Sequence, residues 1–211
     1  MRGPLGIRDR TPSGEGVALT FDDGPHPQGT EAVLEILGEA NATATFFLVG
    51  EQVARRPALA AEIDGAGHEI AIHCQRHRSL LRLTPRQVRD DLDRACEVIG
   101  AATGRAPRLY RPPYGVLNAA ALAYARRRGW QTVLWTREGH DWEARATPAS
   151  IAERITRKLG PGEVVLLHDS SDYSAPASWR NTVAALPRIL EAIEERGLEP
   201  VRLDYELRAS S

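Results

Sequence analysis

The sequence predicts an α/β protein built on parallel strands, and three observations predict it. Short apolar or β-branched runs alternate with amphipathic helical patterns through the chain. Glycine turn signals such as Gly16, Gly67, Gly129, Gly162 and Gly197 punctuate that alternation. Helix starts are marked by Thr-Pro pairs at Thr84-Pro85 and Thr147-Pro148. Strand and helix in sustained alternation imply crossover connections, which join parallel strands.

In order, the first strand is Val17–Phe21, running straight into Asp22 and Asp23. Ala44–Val49 and Glu69–Ile72 are the second and third. Thr84 then caps a helix with Pro85 at its first position and Val88, Leu92 and Ala95 on one face. Arg108–Tyr110 and Gln131–Trp135 follow as strands. Thr147 and Pro148 open a helix carrying Ile151, Ile155 and Leu159 at helical spacing. Val164–Leu167 is the sixth strand. A third amphipathic stretch (Val183, Leu186, Ile189, Leu190 and Ile193) ends at Gly197. Glu199–Leu203 closes the series. Such a pattern suits either a doubly wound open sheet or a barrel.

At 211 residues the chain suits one domain, read as residues 17–211 behind an N-terminal segment, 1–16. A hydrophobic fraction of 42% and a charged fraction of 26% are those of an ordinary soluble protein. The formal net charge of -1 leaves no field to gather nucleic acid or an anionic membrane. Arginine clusters at Arg76, Arg78 and Arg82 and at Arg126–Arg128 read as solvated faces. No run approaches the roughly 18 apolar residues of a membrane span. Cys74 and Cys96 make no disulfide framework, and Cys96 reads as a small buried thiol. With no apolar stretch behind the first arginines, the expected location is cytoplasmic, or secreted if a signal has been removed. A monomer or small homo-oligomer is expected.

Functional residues in parallel α/β folds gather at the C-terminal ends of strands. Asp22 and Asp23 follow the first strand; His73, with His77 four residues on, follows the third. Arg111 follows the fourth, Asp141 and Trp142 the fifth, and His168 and Asp169 the sixth. Singly, each has a plain reading: Asp22-Asp23-Gly24-Pro25 as a turn, His168 as a core histidine. Their joint placement at one end points instead to a site. Two histidines at i and i+4 on a helical turn share a face and can share an ion. With one carboxylate, most simply from the Asp pair, they leave coordination positions open, as catalytic zinc sites do.

These residues resemble the polysaccharide deacetylases, the fourth carbohydrate esterase family, also called NodB-like domains. The resemblance spans Val17 to Leu203. It rests on Thr20-Phe21-Asp22-Asp23-Gly24-Pro25, on His73-Cys74-Gln75-Arg76-His77, on Arg111-Pro112-Pro113-Tyr114-Gly115, on Asp141-Trp142 and on Leu166-Leu167-His168. It implies a distorted (β/α)7 barrel with parallel strands and one divalent metal, zinc first and cobalt or another ion second. It further implies that Asp23, His73 and His77 are the metal ligands, Asp22 the general base and Arg111 its orienting partner. His168 would be the general acid, tuned by Asp141. Trp142 and Leu166 would form the acyl pocket, and the Tyr114 backbone N–H would hold the oxyanion.

The expected activity is therefore metal-dependent removal of N-acetyl groups from amino sugars or oligosaccharides of chitooligosaccharide or peptidoglycan type. The alternatives are an amide hydrolase acting on a small non-sugar metabolite and a silent carbohydrate-binding module. Three departures stand out. Cys74 replaces the usual Ser or Thr and is expected to point away and replace a loop hydrogen bond, with thiolate ligation as the other reading. Glu138 stands where an Asp usually leads the fourth motif. The segment 169–180, with Tyr173 and Trp179, reads equally as cleft lining or surface loop. Trp130 and Trp135 are expected in the core.

Overall fold

The structure is a computed structural model that describes residues 6–204; the outer ends of the two segments assigned above, residues 1–5 and 205–211, lie outside it. Eight parallel strands form one sheet: β1 (Val17–Asp22), β2 (Thr45–Val49), β3 (Glu69–Cys74), β4 (Leu109–Tyr110), β5 (Gln131–Thr132), β6 (Arg137–Glu138), β7 (Glu163–His168) and β8 (Pro200–Val201). Their order is β5-β4-β3-β2-β1-β7-β6. β7 covers one edge of β1, while β2 pairs with residues 20–22 and β8 with residues 17–18. Seven helices connect them: α1 (Gly29–Glu39), α2 (Gly50–Arg55), α3 (Pro57–Gly65), α4 (Pro85–Thr103), α5 (Ala119–Arg127), α6 (Pro148–Thr156) and α7 (Trp179–Glu194).

β5 and β6 lie at opposite ends of this order, yet only residues 133–136 separate them in the chain. So short a connection forces the sheet to curl until its edges nearly meet, giving the distorted barrel of parallel strands. Residues 8–11 strap the gap. Arg8 pairs with Val133 and Arg10 bridges to Glu163. The Thr11 N–H donates to the Gly162 carbonyl at 2.9 Å.

Strand alternation sorts the side chains into two layers. Val17, Leu19 and Phe21, Phe46 and Leu48, Ile70 and Ile72, and Val165 and Leu167 pack outward in the main core, under helices that contribute residues such as Val88, Leu92, Ile151, Leu186 and Ile189. Ala18, Phe47, Ala71, Leu109 and Val164 face the barrel interior in a second, smaller cluster. The same parity sends Thr20 and Asp22, His73, Arg111, Leu166 and His168 inward, at the C-terminal end. Among the described residues no helix is long and apolar enough to cross a membrane.

Both Thr-Pro starts form capping boxes, Thr84 with Gln87 and Thr147 with Ser150. Several element bounds need correction, the last strand being Pro200–Val201 and not Glu199–Leu203. α6 stops at Thr156, so Leu159 is buried from the turn beyond it and not from the helix. β5 ends at Thr132, short of Trp135, and β6 was not foreseen. β6 consists of two half-buried charged residues, and only pairing with β7 makes it a strand.

Candidate active site

Asp22 closes β1, and its register partner on β7 is His168. Arg111, fully buried just after β4, reaches across the interior. Its Nη1 donates to Asp22 Oδ1 at 2.7 Å and to Thr20 Oγ1 at 2.8 Å. Its Nε and Nη2 donate to the carbonyls of Val133 and Leu134 at 3.3 Å, and its guanidinium lies 3.9 Å from the Phe47 ring centre. Burial raises the Asp22 pKa and the Arg111 charge opposes that rise; the net shift is upward.

Asp23 follows with φ 80, a left-handed turn into Gly24. Its Oδ1 lies 3.5 Å from His73 Nε2 and 3.4 Å from His77 Nε2. That oxygen is buried and makes no hydrogen bond to a described residue. His73 Nδ1–H donates to the Arg111 carbonyl at 2.9 Å, which places the Nε2 lone pair toward Asp23. Burial lowers both imidazoles to about 3, keeping them neutral. Burial raises Asp23 to about 7, against the attraction of His168 and with the help of neighbouring carboxylates. One ligand atom from each residue lies within 4.8 Å of the others. Lone pairs converging on a buried carboxylate oxygen without a donor are what a divalent cation fits.

The i, i+4 spacing of His73 and His77 does not arise on a helix, as the sequence reading supposed. His73 is on β3 and His77 lies in the loop beyond a bend. Strand parity and the loop bring them together, with ring centres 5.2 Å apart. Cys74, one residue past His73, takes the opposite parity and is buried. Its thiol makes no hydrogen bond to a described residue, so no thiol bond ties the loop. Burial raises its pKa well above the usual thiol value, which disfavours the thiolate.

On β7, the backbone N–H of His168 donates to Asp141 Oδ2 at 2.7 Å and its Nδ1–H to Oδ1 at 3.0 Å. Thr182 Oγ1 on α7 donates to Oδ2 at 2.7 Å, so the buried Asp141 is held from three sides. Burial alone would lower the His168 pKa; the Asp141 charge and hydrogen bond outweigh it and raise it to about 10.

Asp22, Asp23, His73, His77 and His168 line one cavity of about 310 Å³ together with Tyr114, Trp142 and Leu166. Tyr114 sits in a tight turn with φ 59 and is 60% exposed. Trp142 meets His168 edge-on at 5.4 Å and stacks on His140 at 4.9 Å. The sequence reading missed Trp135 and Glu138 as lining. Trp135 is half-buried, packing against the inner cluster as expected while also lining the cavity, and its indole N–H donates to Glu138 Oε2 at 2.8 Å. Its position just past a strand was the available signal. Trp130 is buried in the core, as expected. In the 169–180 segment Tyr173 lines the cavity, while Trp179 packs on His26 at 5.5 Å.

A curled parallel barrel that brings together three lone-pair donors able to hold a cation, a buried carboxylate and an imidazole–carboxylate pair has the parts that hydrolysis of an amide or ester requires. The chain belongs to the polysaccharide deacetylase family, whose model matches residues 9–133. It is 36% identical over 190 residues to a chitooligosaccharide deacetylase of Bradyrhizobium sp. (strain ANU 289), covering 87% of this chain and 86% of that one. A peptidoglycan N-acetylglucosamine deacetylase structure superposes with a TM-score of 0.87 at 29% identity, over 94% of this chain and 91% of that one. A family 4 carbohydrate esterase from Streptomyces lividans, in complex with acetate, gives 0.80 at 32% identity, over 90% and 93%. Deacetylases of this family are metal-dependent.

Proposed function

We propose that this chain hydrolyses the N-acetyl group of an acetylated amino sugar, in a chitooligosaccharide or a peptidoglycan-type glycan, giving acetate and a free amine. The observation that carries this reading is the meeting of Asp22–Arg111 and His168–Asp141 in the cavity that holds Asp23, His73 and His77. Its likeness to a chitooligosaccharide deacetylase and a peptidoglycan N-acetylglucosamine deacetylase supports the substrate class.

Asp23, His73 and His77 would hold one divalent ion, zinc in this reading. Bound there, it would polarise the amide carbonyl and make a water easier to deprotonate. Asp22 accepts the proton of the attacking water as its oxygen adds to the carbonyl carbon, and Arg111 favours the ionised carboxylate against the effect of burial and aims it. The backbone N–H of Tyr114 donates to the developing oxyanion. His168, held protonated by Asp141, gives a proton to the leaving nitrogen as the C–N bond breaks. Trp142 and Leu166 offer the acyl methyl an apolar wall. Against a silent binding module stands the presence of base, acid and all three donors.

The test is acetate release from chitooligosaccharides and from peptidoglycan fragments by metal-stripped protein, before and after adding zinc or cobalt. Activity is expected to return with metal and to fall about 10²–10⁴-fold in Asp22→Asn. Tight metal binding with turnover only of small non-sugar amides would replace the substrate class. No metal binding by the wild type would overturn the reading.

A further inference from the structure

The two imidazoles of the cation site are held by different means. His73 is fixed by its hydrogen bond to the Arg111 carbonyl. His77 Nδ1 is buried and makes no hydrogen bond to any other described residue. Yet χ2 of histidine is a broad torsion that does not fix the ring by itself. What fixes the plane is aromatic. Tyr173 stacks on His77 with centres 4.6 Å apart and planes 18° apart, and Tyr114 meets it edge-on at 4.5 Å.

Tyr173 is anchored in turn. Its hydroxyl donates to Glu51 Oε1 at 2.6 Å and accepts from Gln52 Nε2 at 3.1 Å, both at the start of α2. These two residues also touch the loops that carry the cation donors. The Glu51 N–H donates to the Gln75 carbonyl at 3.0 Å, between His73 and His77. Gln52 Oε1 accepts from Arg56 Nη1 at 2.9 Å, and the same nitrogen donates to the Pro25 carbonyl at 3.3 Å, two residues past Asp23.

We propose that Tyr173 is a positioning residue for the cation site, setting the His77 plane by stacking as the Arg111 carbonyl sets His73 by hydrogen bonding, with Glu51 and Gln52 as its anchor. This rests on reading Asp23, His73 and His77 as cation ligands. Partners that orient a ligating imidazole typically change metal affinity 10–100-fold. One face of the Tyr173 ring is taken by His77, so its first role is toward that ligand and not toward a sugar.

The experiment measures zinc and cobalt dissociation constants by competition with a chromophoric chelator, and the visible bands of the cobalt protein. Tyr173→Leu should bind about 10–100-fold more weakly and shift the cobalt bands, with KM unchanged at saturating metal. Tyr173→Phe keeps the ring and loses the anchor, so its affinity should fall between the two. Glu51→Ala, a change at the rim of α2, should match Tyr173→Phe and keeps the test open if the leucine variant does not fold. Wild-type affinity and bands in Tyr173→Leu, or in both other variants where it does not fold, would overturn the proposal. So would a raised KM at unchanged metal affinity, which would make Tyr173 a sugar-stacking residue. A wild type that binds no metal would overturn the cation-site reading itself, and this inference with it.

Discussion

The buried Asp141 carboxylate turns His168 from an ordinary imidazole into one protonated far above neutrality. Its raised pKa of about 10 gives a definite sign to the pH dependence. In the proposed mechanism His168 is the acid and works only while protonated, so activity should fall as pH rises through that value. Asp141→Asn removes the charge, burial then pulls the His168 pKa down, and the alkaline limb of kcat/KM should move to lower pH. The same linkage acts on stability. The pair stabilises the fold fully below the unfolded histidine value of about 6.5, and that contribution fades as pH rises through about 10. At this scale the sequence was informative because Asp22, His73 and His168 are polar residues in apolar strands, at positions whose parity points inward. Glu51 and Gln52 gave no such signal: they open an ordinary helix, and only the fold carries them to the Tyr173 hydroxyl.

Helix starts were legible because capping chemistry is local. Thr84 and Pro85 announce α4, and the structure adds reciprocal bonds between Thr84 and Gln87. Thr84→Ala should cost about 1 kcal/mol of unfolding free energy, read from denaturant melts, with activity unchanged. Short strands were less legible. β6 has no apolar period, and the helical reading of His73 and His77 failed because a spacing of four also fits a strand end followed by a bend. Turns show a further constraint. Gly115 has φ 64, and a Cβ there would lie 2.5 Å from the Trp135 ring. Gly115→Ala must therefore move either the Tyr114 turn or the tryptophan wall. A loss of activity of about tenfold or more is expected, with little change in metal affinity. Wild-type turnover in that variant would show that the Trp135 side of the cavity does not bear on the reaction.

For the molecule as a whole, alternation announced parallel strands but not their closure, because closure depends on pairings distant in sequence. The strap of residues 8–11 is the clearest case: assigned to a segment outside the domain, it spans the gap between Val133 and Glu163. Removing residues 1–11 should lower the thermal midpoint and expose strand edges that pair between molecules, measured by scanning calorimetry and light scattering. An unchanged midpoint and a monodisperse profile would show that the barrel holds without it. Arg111 bears on the same closure. The guanidinium that holds Asp22 also binds the carbonyls of Val133 and Leu134, in the stretch joining the two outermost strands. In the proposed mechanism one side chain thus serves as partner of the base and as a rivet in the wall. A loss of turnover on replacing Arg111 cannot be credited to chemistry alone, and an evolving lineage could not retune this base without also rebuilding the vessel that contains it.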